Sequence, residues 1–161
     1  MNIFVLDQDP KVCAKYHNNK HVVKMILETA QLLCGVHHMV ESKIEIPYKL
    51  SHKNHPCSIW ARECIENYVW LCDLGMELCL EYTYRYGKTH STDTKLREAL
   101  AKLPDNIPVK KMTPFKLAMS SFPECISECP VESYRKFYET KQHRFKMDWT
   151  KRQVPEWFTY A

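Results

Sequence analysis

Lys20-His21-Val22-Val23-Lys24-Met25-Ile26-Leu27-Glu28-Thr29-Ala30-Gln31-Leu32-Leu33 is the stretch on which the reading of the chain turns. Its apolar residues recur with helical period, which predicts a helix over about 20–39. At about 100° per residue, Lys20, His21, Lys24, Glu28 and Gln31 fall with His17 of the lead-in on one arc about 100° wide. The rest of the circumference is Val22, Val23, Met25, Ile26, Leu27, Ala30, Leu32 and Leu33. A helix this apolar belongs in a core, so its polar stripe faces either a cleft or a narrow window of solvent. The window reading leaves Lys24 and Glu28 as a surface pair worth only about 0.3–0.5 kcal/mol. Two histidines beside two lysines favour the cleft.

Working outward, Asp9-Pro10 has the form of an N-cap followed by proline at the first helical position, and predicts a first helix over about 10–17. Asn18-Asn19 offers a break before the second. Residues 2–6 read as an extended segment or a helix lead-in, and 41–57 as irregular, with Pro47 and Pro56 as breakers. A long helix is expected from about 58 to 86, closed by Gly87. Its acidic residues Glu66, Asp73, Glu77 and Glu81 read as a solvated face. Cys64, Cys72, Gly75 and Cys79, flanked by Tyr68 and Tyr82, read as a seam where another helix approaches closely. Thr92 or Asp93 caps a short helix to about 103. Residues 104–129 are loop-like, with one turn at Thr113-Pro114, and Pro130 opens a last helix to about 141. The fold class is all-α: a compact single-domain helical bundle over 1–161 with one long central helix. A basic and aromatic tail covers about 134–161.

Composition narrows the function classes. Hydrophobic residues make up 45% of the 161 and charged residues 26%, an ordinary globular balance. Only three glycines are present, which argues against a glycine-rich nucleotide loop or a loop-rich β-sandwich. No apolar run approaches the ~18 residues of a membrane span. The opening Met1-Asn2-Ile3-Phe4-Val5-Leu6-Asp7 lacks the basic start of a secretory signal, so a cytoplasmic location (the host cytoplasm for a viral protein) is expected. The eight cysteines include no C-x-x-C pair, and Cys64, Cys72 and Cys79 sit within the apolar pattern of a helix. They read as reduced core residues rather than disulfides or zinc ligands. The formal charge of +4 lies in the tail, where residues 133–161 hold seven basic and three acidic side chains.

Three constellations could do chemistry. The first is the stripe of the second helix, in which His17, His21, Lys24 and Glu28 are the candidate catalytic residues and Lys20 and Gln31 candidate ligand contacts. The second is Ser51-His52-Lys53-Asn54-His55-Pro56-Cys57 with Arg62 beyond it. His52, Lys53, His55 and Arg62 suit an anion near a helix N-terminus, although His55 could simply cap that helix. Third, the tail interleaves Arg135, Lys136, Lys141, Arg144, Lys146, Lys151 and Arg152 with Tyr134, Phe137, Tyr138, Phe145, Trp149, Trp157 and Phe158. Cations neutralise phosphates and aromatic faces stack on bases, a pairing suited to nucleic acid. The plainer fate of Trp157 and Phe158 is to finish the core. Arg85, Lys88, Arg135 and Arg152 complete the set expected to meet phosphate. No cofactor is expected. His17 and His21 have the spacing of helical zinc ligands, but Lys20, Lys24 and Lys53 would repel a divalent cation.

Asp7-Gln8-Asp9-Pro10, Lys20-His21-Val22-Val23-Lys24-Met25, His52-Lys53-Asn54-His55-Pro56-Cys57, Tyr82-Thr83-Tyr84-Arg85-Tyr86-Gly87-Lys88 and Pro155-Glu156-Trp157-Phe158 resemble a poorly characterised family of small proteins from phages and large DNA viruses. In layout the chain also resembles the phage pyrimidine-dimer DNA glycosylases, small all-α proteins with an early catalytic helix and an aromatic-basic C-terminal tail. That resemblance implies attack on the sugar by the α-amine of a small residue exposed by methionine removal, assisted by a glutamate of the first helix. Asn2 is too large for efficient methionine removal, which leaves the α-amine on Met1. The glutamate position falls near Asn18 or Asn19, with His17 and His21 as its basic partners, so the scaffold is expected without the lyase chemistry.

The resulting expectation is a protein acting on DNA bases or nucleotides, with His17 and His21 exchanging protons and the cations holding phosphate. Lys20 or Lys24, with a pKa depressed by neighbouring cations, is the alternative as an imine-forming nucleophile. The competing reading is a binder that sequesters a nucleotide or nucleotide-derived signal in the same cleft without turning it over. A third is an adaptor that docks through the tail. The expected partner is DNA or a phosphorylated nucleotide, with no membrane, and the sequence does not give the oligomeric state.

Overall fold

The computed structural model describes residues 2–161, and it is all-helical: six α-helices and shorter turns, with no strand among the described residues. The chain enters as a buried extended strap, Ile3 to Leu6. Helix α1 spans Pro10–Tyr16 and begins where expected: the Asp9 carboxylate accepts from the Lys11 N–H at 2.9 Å, with Pro10 in the first turn. It stops at His17, whose backbone is extended. Asn18 then caps α2, Asn19–Met39, by accepting from the His21 N–H at 2.8 Å.

The expected long helix is two helices. Helix α3 spans Pro56–Glu63 and α4 spans Ile65–Tyr86, with Cys64 fully extended between them (φ −161°, ψ 164°). The break is held by the 104–113 loop, which the sequence pattern gives no means of docking. Ile65 N–H donates to Pro108 O at 2.9 Å, and the Asn67 amide donates to both Trp60 O and Thr113 Oγ1 at 2.7 Å. Thr113 is thus a clamp in extended chain, and no turn starts there. Gly87 closes α4 in the left-handed region (φ 68°), as expected of that glycine. Beyond it, α5 is the single turn Asp93–Lys95, continued by a wider turn over Leu96–Leu100, and α6 spans Pro130–Glu139, followed by a 3₁₀ turn over Thr140–His143.

Helix α4 packs on α1 and α2. The small-residue seam is real at Gly75: a Cβ there would lie 3.1 Å from Thr29 Cγ2 of α2. Cys72 and Cys79 are buried beside it. All eight cysteines are free thiols, seven of them buried, and only Cys129 is exposed. No helix among the described residues is long and apolar enough to cross a membrane.

Glu81 departs from the solvated face assigned to it. It is 4% exposed and joins two arginines that the sequence reading had offered to phosphate. Its carboxylate accepts from Arg85 Nε at 2.8 Å and from Arg152 Nη2 at 2.6 Å. Arg85 also donates from Nη1 to Asn19 Oδ1 and from Nη2 to Lys15 O. Burial alone would push the Glu81 carboxyl up, but the bonds from Arg152 and Arg85 outweigh it and hold the group below the usual carboxylate range. This triad ties the C-terminal segment to α4. Removing the anion by Glu81→Gln would leave the Arg85 guanidinium buried without its counter-charge. The expected loss is roughly 3–5 kcal/mol of folding free energy, read as a lowered urea midpoint. An unchanged midpoint would show that the triad contributes nothing to stability.

Candidate functional site

A cleft of about 340 Å³ opens where three parts of the chain meet. The entry strap supplies Asn2 and Phe4, helix α2 supplies Lys20, His21, Lys24, Met25 and Glu28, and the turn after α6 supplies Lys141, Arg144 and Phe145. Lys20, Lys24 and Glu28 share a wall because residues four apart on a helix lie on one face. The C-terminal turn is brought opposite them by the junction between α1 and α2. Asn18, wholly buried there, donates its backbone N–H to Tyr138 Oη at 2.9 Å, and Asn19 N–H donates to Asp148 O at 2.8 Å.

Among the described residues, the charged side chains lining the cleft are one carboxylate and four cations. Lys24 Nζ lies 3.5 Å from Glu28 Oε1. Lys20 Nζ stands 4.3 Å from the centre of the Phe145 ring, and Lys141 Nζ stands 4.1 Å from that of Phe137. Burial pushes the Lys141 ammonium down from the usual lysine value, and Arg144 and Lys24 add to the shift.

The histidines do different work from that expected. His17 is the C-cap of α1, not a member of the α2 stripe; it is buried outside the cleft, and its Nδ1–H donates to Cys13 O at 2.7 Å. His21 does line the cleft, stacked on Phe4 with ring centres 4.6 Å apart and planes 14° off parallel. Its Nδ1 is 2.9 Å from Tyr138 Oη. Because that oxygen already accepts from Asn18, its own proton serves His21 Nδ1, which assigns the neutral ring with hydrogen on Nε2. Burial lowers His17 to about 4, and burial with the cations around it lowers His21 to about 2. Both are neutral at physiological pH. The helix break between them removes the single-helix spacing on which the zinc reading of the pair rested. Among the described residues no three His, Cys, Asp or Glu side chains gather as metal ligands.

The mid-chain loop stays outside the cleft lining. His55 Nδ1 accepts from the Cys57 N–H at 3.1 Å and so caps α3. It is nevertheless close enough to Glu28 for that carboxylate to oppose the effects of burial and of His52, which together hold its pKa low. Arg62 donates to Lys53 O at 2.6 Å, while His52 and Lys53 are exposed. Gln31 is half-buried outside the lining, and Lys88 is exposed beyond the end of α4. Arg135 is occupied by Leu6 O at 2.9 Å and Asp7 at 3.3 Å. The structure thus brings together Lys20, His21, Lys24 and Glu28 of the expected set and adds Asn2, Phe4, Lys141, Arg144 and Phe145. Asn18, near the position where a carboxylate was sought, is spent on capping and on Met147 Sδ, and the carboxylate lining the cleft is Glu28. Met1, with the α-amine, lies outside the described residues.

A family model described as pyrimidine dimer DNA glycosylase matches residues 1–94. That span holds the strap and α2 walls of the cleft and ends before Lys141 and Arg144. No curated protein and no solved structure matches the chain.

The depressed imidazoles set a pH dependence. Each folded value lies below the ordinary 6.5, so the unfolded chain binds more protons in mild acid. Stability is complete above about 6.5 and declines as the pH falls, through about 4 for His17 and lower still for His21. The Tm should therefore drop between about pH 7.5 and about pH 5. His17→Gln combined with His21→Gln should remove much of that slope, with His37, also depressed by burial, retaining part of it. A flat profile in the unaltered protein would contradict the assignment.

Proposed function

The chain belongs to the pyrimidine dimer DNA glycosylase family, and from that premise we propose that it cleaves a base–sugar bond in DNA within the cleft between α2 and the C-terminal turn. The observation that carries this reading is the Glu28 carboxylate set among Lys20, Lys24, Lys141 and Arg144 in a hollow of about 340 Å³, the lower end of the range for small-ligand sites. Cations in that arrangement suit the phosphates on either side of one extruded nucleotide. Enzymes that act on a base must take it out of the stack, and the stacked Phe4 and His21 rings form part of the wall it would meet.

Glu28 is the group that moves protons. A carboxylate beside a lysine can relay a proton between an attacking amine and the sugar ring oxygen, which is the assistance that the family resemblance implies for a helix glutamate. Lys20, Lys24 and Arg144 hold phosphate, and His21 acts as a neutral wall and hydrogen-bond donor. The nucleophile is an amine at the cleft, which the family reading supplies from the chain terminus. The binding reading uses the same cations but predicts that ligand is returned unchanged, so product formation separates the two.

The test uses duplexes carrying a pyrimidine dimer or an abasic site, with an undamaged control. The unaltered protein should release base or incise the damaged strand. Glu28→Gln should lower that rate by about 10²–10⁴-fold, the usual range for loss of a general acid–base group, at unchanged Tm. Lys20→Ala and Arg144→Ala should each weaken binding to every duplex and reduce the slope of log K against log salt by about 1. Binding without product in the unaltered protein would select the sequestering reading, and full activity in Glu28→Gln would remove that residue from the chemistry.

A further inference from the structure

We infer that Tyr138 is a positioning residue for base recognition: its hydroxyl fixes the His21 ring so that Nε2–H donates to a carbonyl oxygen of the base in the cleft. This rests on the glycosylase reading above, and Tyr138 lies outside the residues 1–94 that the family model matches.

Tyr138 is wholly buried, and its hydroxyl has two partners near the start of α2. The Asn18 N–H donates to Oη at 2.9 Å, and His21 Nδ1 lies 2.9 Å from the same oxygen. A backbone N–H can only donate, so the hydroxyl proton is left for Nδ1. Nδ1 then carries the lone pair and Nε2 the hydrogen. Turning the ring over would break that bond. The ring is also stacked on Phe4 at 4.6 Å and meets Phe145 edge-to-face at 5.5 Å. Nε2 lies on the edge of the ring away from Tyr138, and it has no hydrogen-bond partner among the described residues.

Depth separates this donor from the cations of the cleft. His21 is 5% exposed, whereas the Lys24 side chain is 60% exposed and Lys20 and Arg144 are exposed as well. Phosphate oxygens go to the ammonium and guanidinium groups, because bonds between charged partners are about twice as strong as neutral ones. A neutral N–H set deeper in the wall is left for a neutral acceptor. The imidazole stays neutral there because burial penalises the imidazolium, and His17, Lys141, Lys24 and Lys20 penalise it further. Pyrimidine bases present carbonyl oxygens, and an abasic site has lost them with the base. A histidine free to change tautomer would offer a donor to one ligand and a lone pair to the next. The Tyr138 hydroxyl removes that choice. Tyr138 itself meets no ligand and acts through His21.

The test is a pair of measurements on the full chain. Nitrogen NMR of the unaltered protein with labelled imidazoles should show the His21 proton on Nε2. It should also show a coupling across the hydrogen bond from the Tyr138 hydroxyl to Nδ1. Base release from a pyrimidine-dimer duplex is then compared with incision at a ready-made abasic site. His21→Phe keeps a stacked ring and removes the N–H. It should lower the first rate about tenfold more than the second, the worth of one hydrogen bond. His21→Gln offers an amide N–H and should recover part of that loss. Tyr138→Phe should shift the ratio in the same direction and give a mixture of His21 tautomers. A proton on Nδ1 in the unaltered protein, or no coupling to Tyr138, overturns the positioning role. Since both are read in the unaltered protein, they decide that role even where Tyr138→Phe fails to fold. Equal losses on the two substrates in His21→Phe overturn the base contact. Either result leaves the glycosylase reading intact when the unaltered protein releases base. Neither base release nor incision on any duplex overturns both.

Discussion

Asn18 is the residue on which the geometry of the molecule depends. It is wholly buried between two helices that it separates, and every polar group it has is assigned. Its side chain caps α2 and meets Met147, and its backbone N–H is held by Tyr138. The cost of burying an amide is offset only when such bonds are made together. Since two of the partners lie more than 100 residues away, the start of α2 cannot be satisfied until the C-terminal segment has docked. The backbone N–H and side-chain amide of this one residue thereby tie α6 and the segment after it to the start of α2. The cleft is the gap left between that turn and the face of α2.

Electrostatics then divides the polar residues of the early chain into two kinds. Imidazoles close to the junction are buried and kept neutral, and they serve as hydrogen-bonding spacers among Phe4, Tyr138 and Cys13. Charged side chains one and two turns further along α2 project into the opening. Mutual repulsion among the cations that line the opening with Glu28 favours a polyanion there. The Glu81 triad is a contrasting use of the same residue types. There two guanidinium groups meet a carboxylate that is 4% exposed, and the charges are spent on one another inside the fold.

Much of this was legible in the sequence, and the remainder failed for identifiable reasons. Local signals were read correctly: Asp9-Pro10 as a helix start, Asn18-Asn19 as a break, Gly87 as a stop, and Lys20, Lys24 and Glu28 as one face of a helix. Each depends on residues within a turn or two of one another. The break at Cys64 was missed because it is imposed by Pro108 and Thr113, more than 40 residues on, against a continuous helical pattern. The same limitation hid Lys141 and Arg144. Their alternation with aromatics marked the tail as able to touch nucleic acid, but which cations turn towards α2 depends on docking through Tyr138. Arg85, Arg135 and Arg152 illustrate the converse error. A guanidinium has five donors, and sequence alone does not reveal whether protein carbonyls and carboxylates already occupy them.

The unequal burial of the eight thiols has a practical corollary. Cys129 alone is exposed, whereas interior sulfhydryls such as Cys13 and Cys79 are pushed up to about 12 by burial and stay unreactive. A maleimide dye should therefore attach at one place without any engineering of the chain. That place caps the start of α6, about 15 Å along the helix axis from the turn bearing Lys141. The protein carries its own attachment point for a fluorophore near the hollow.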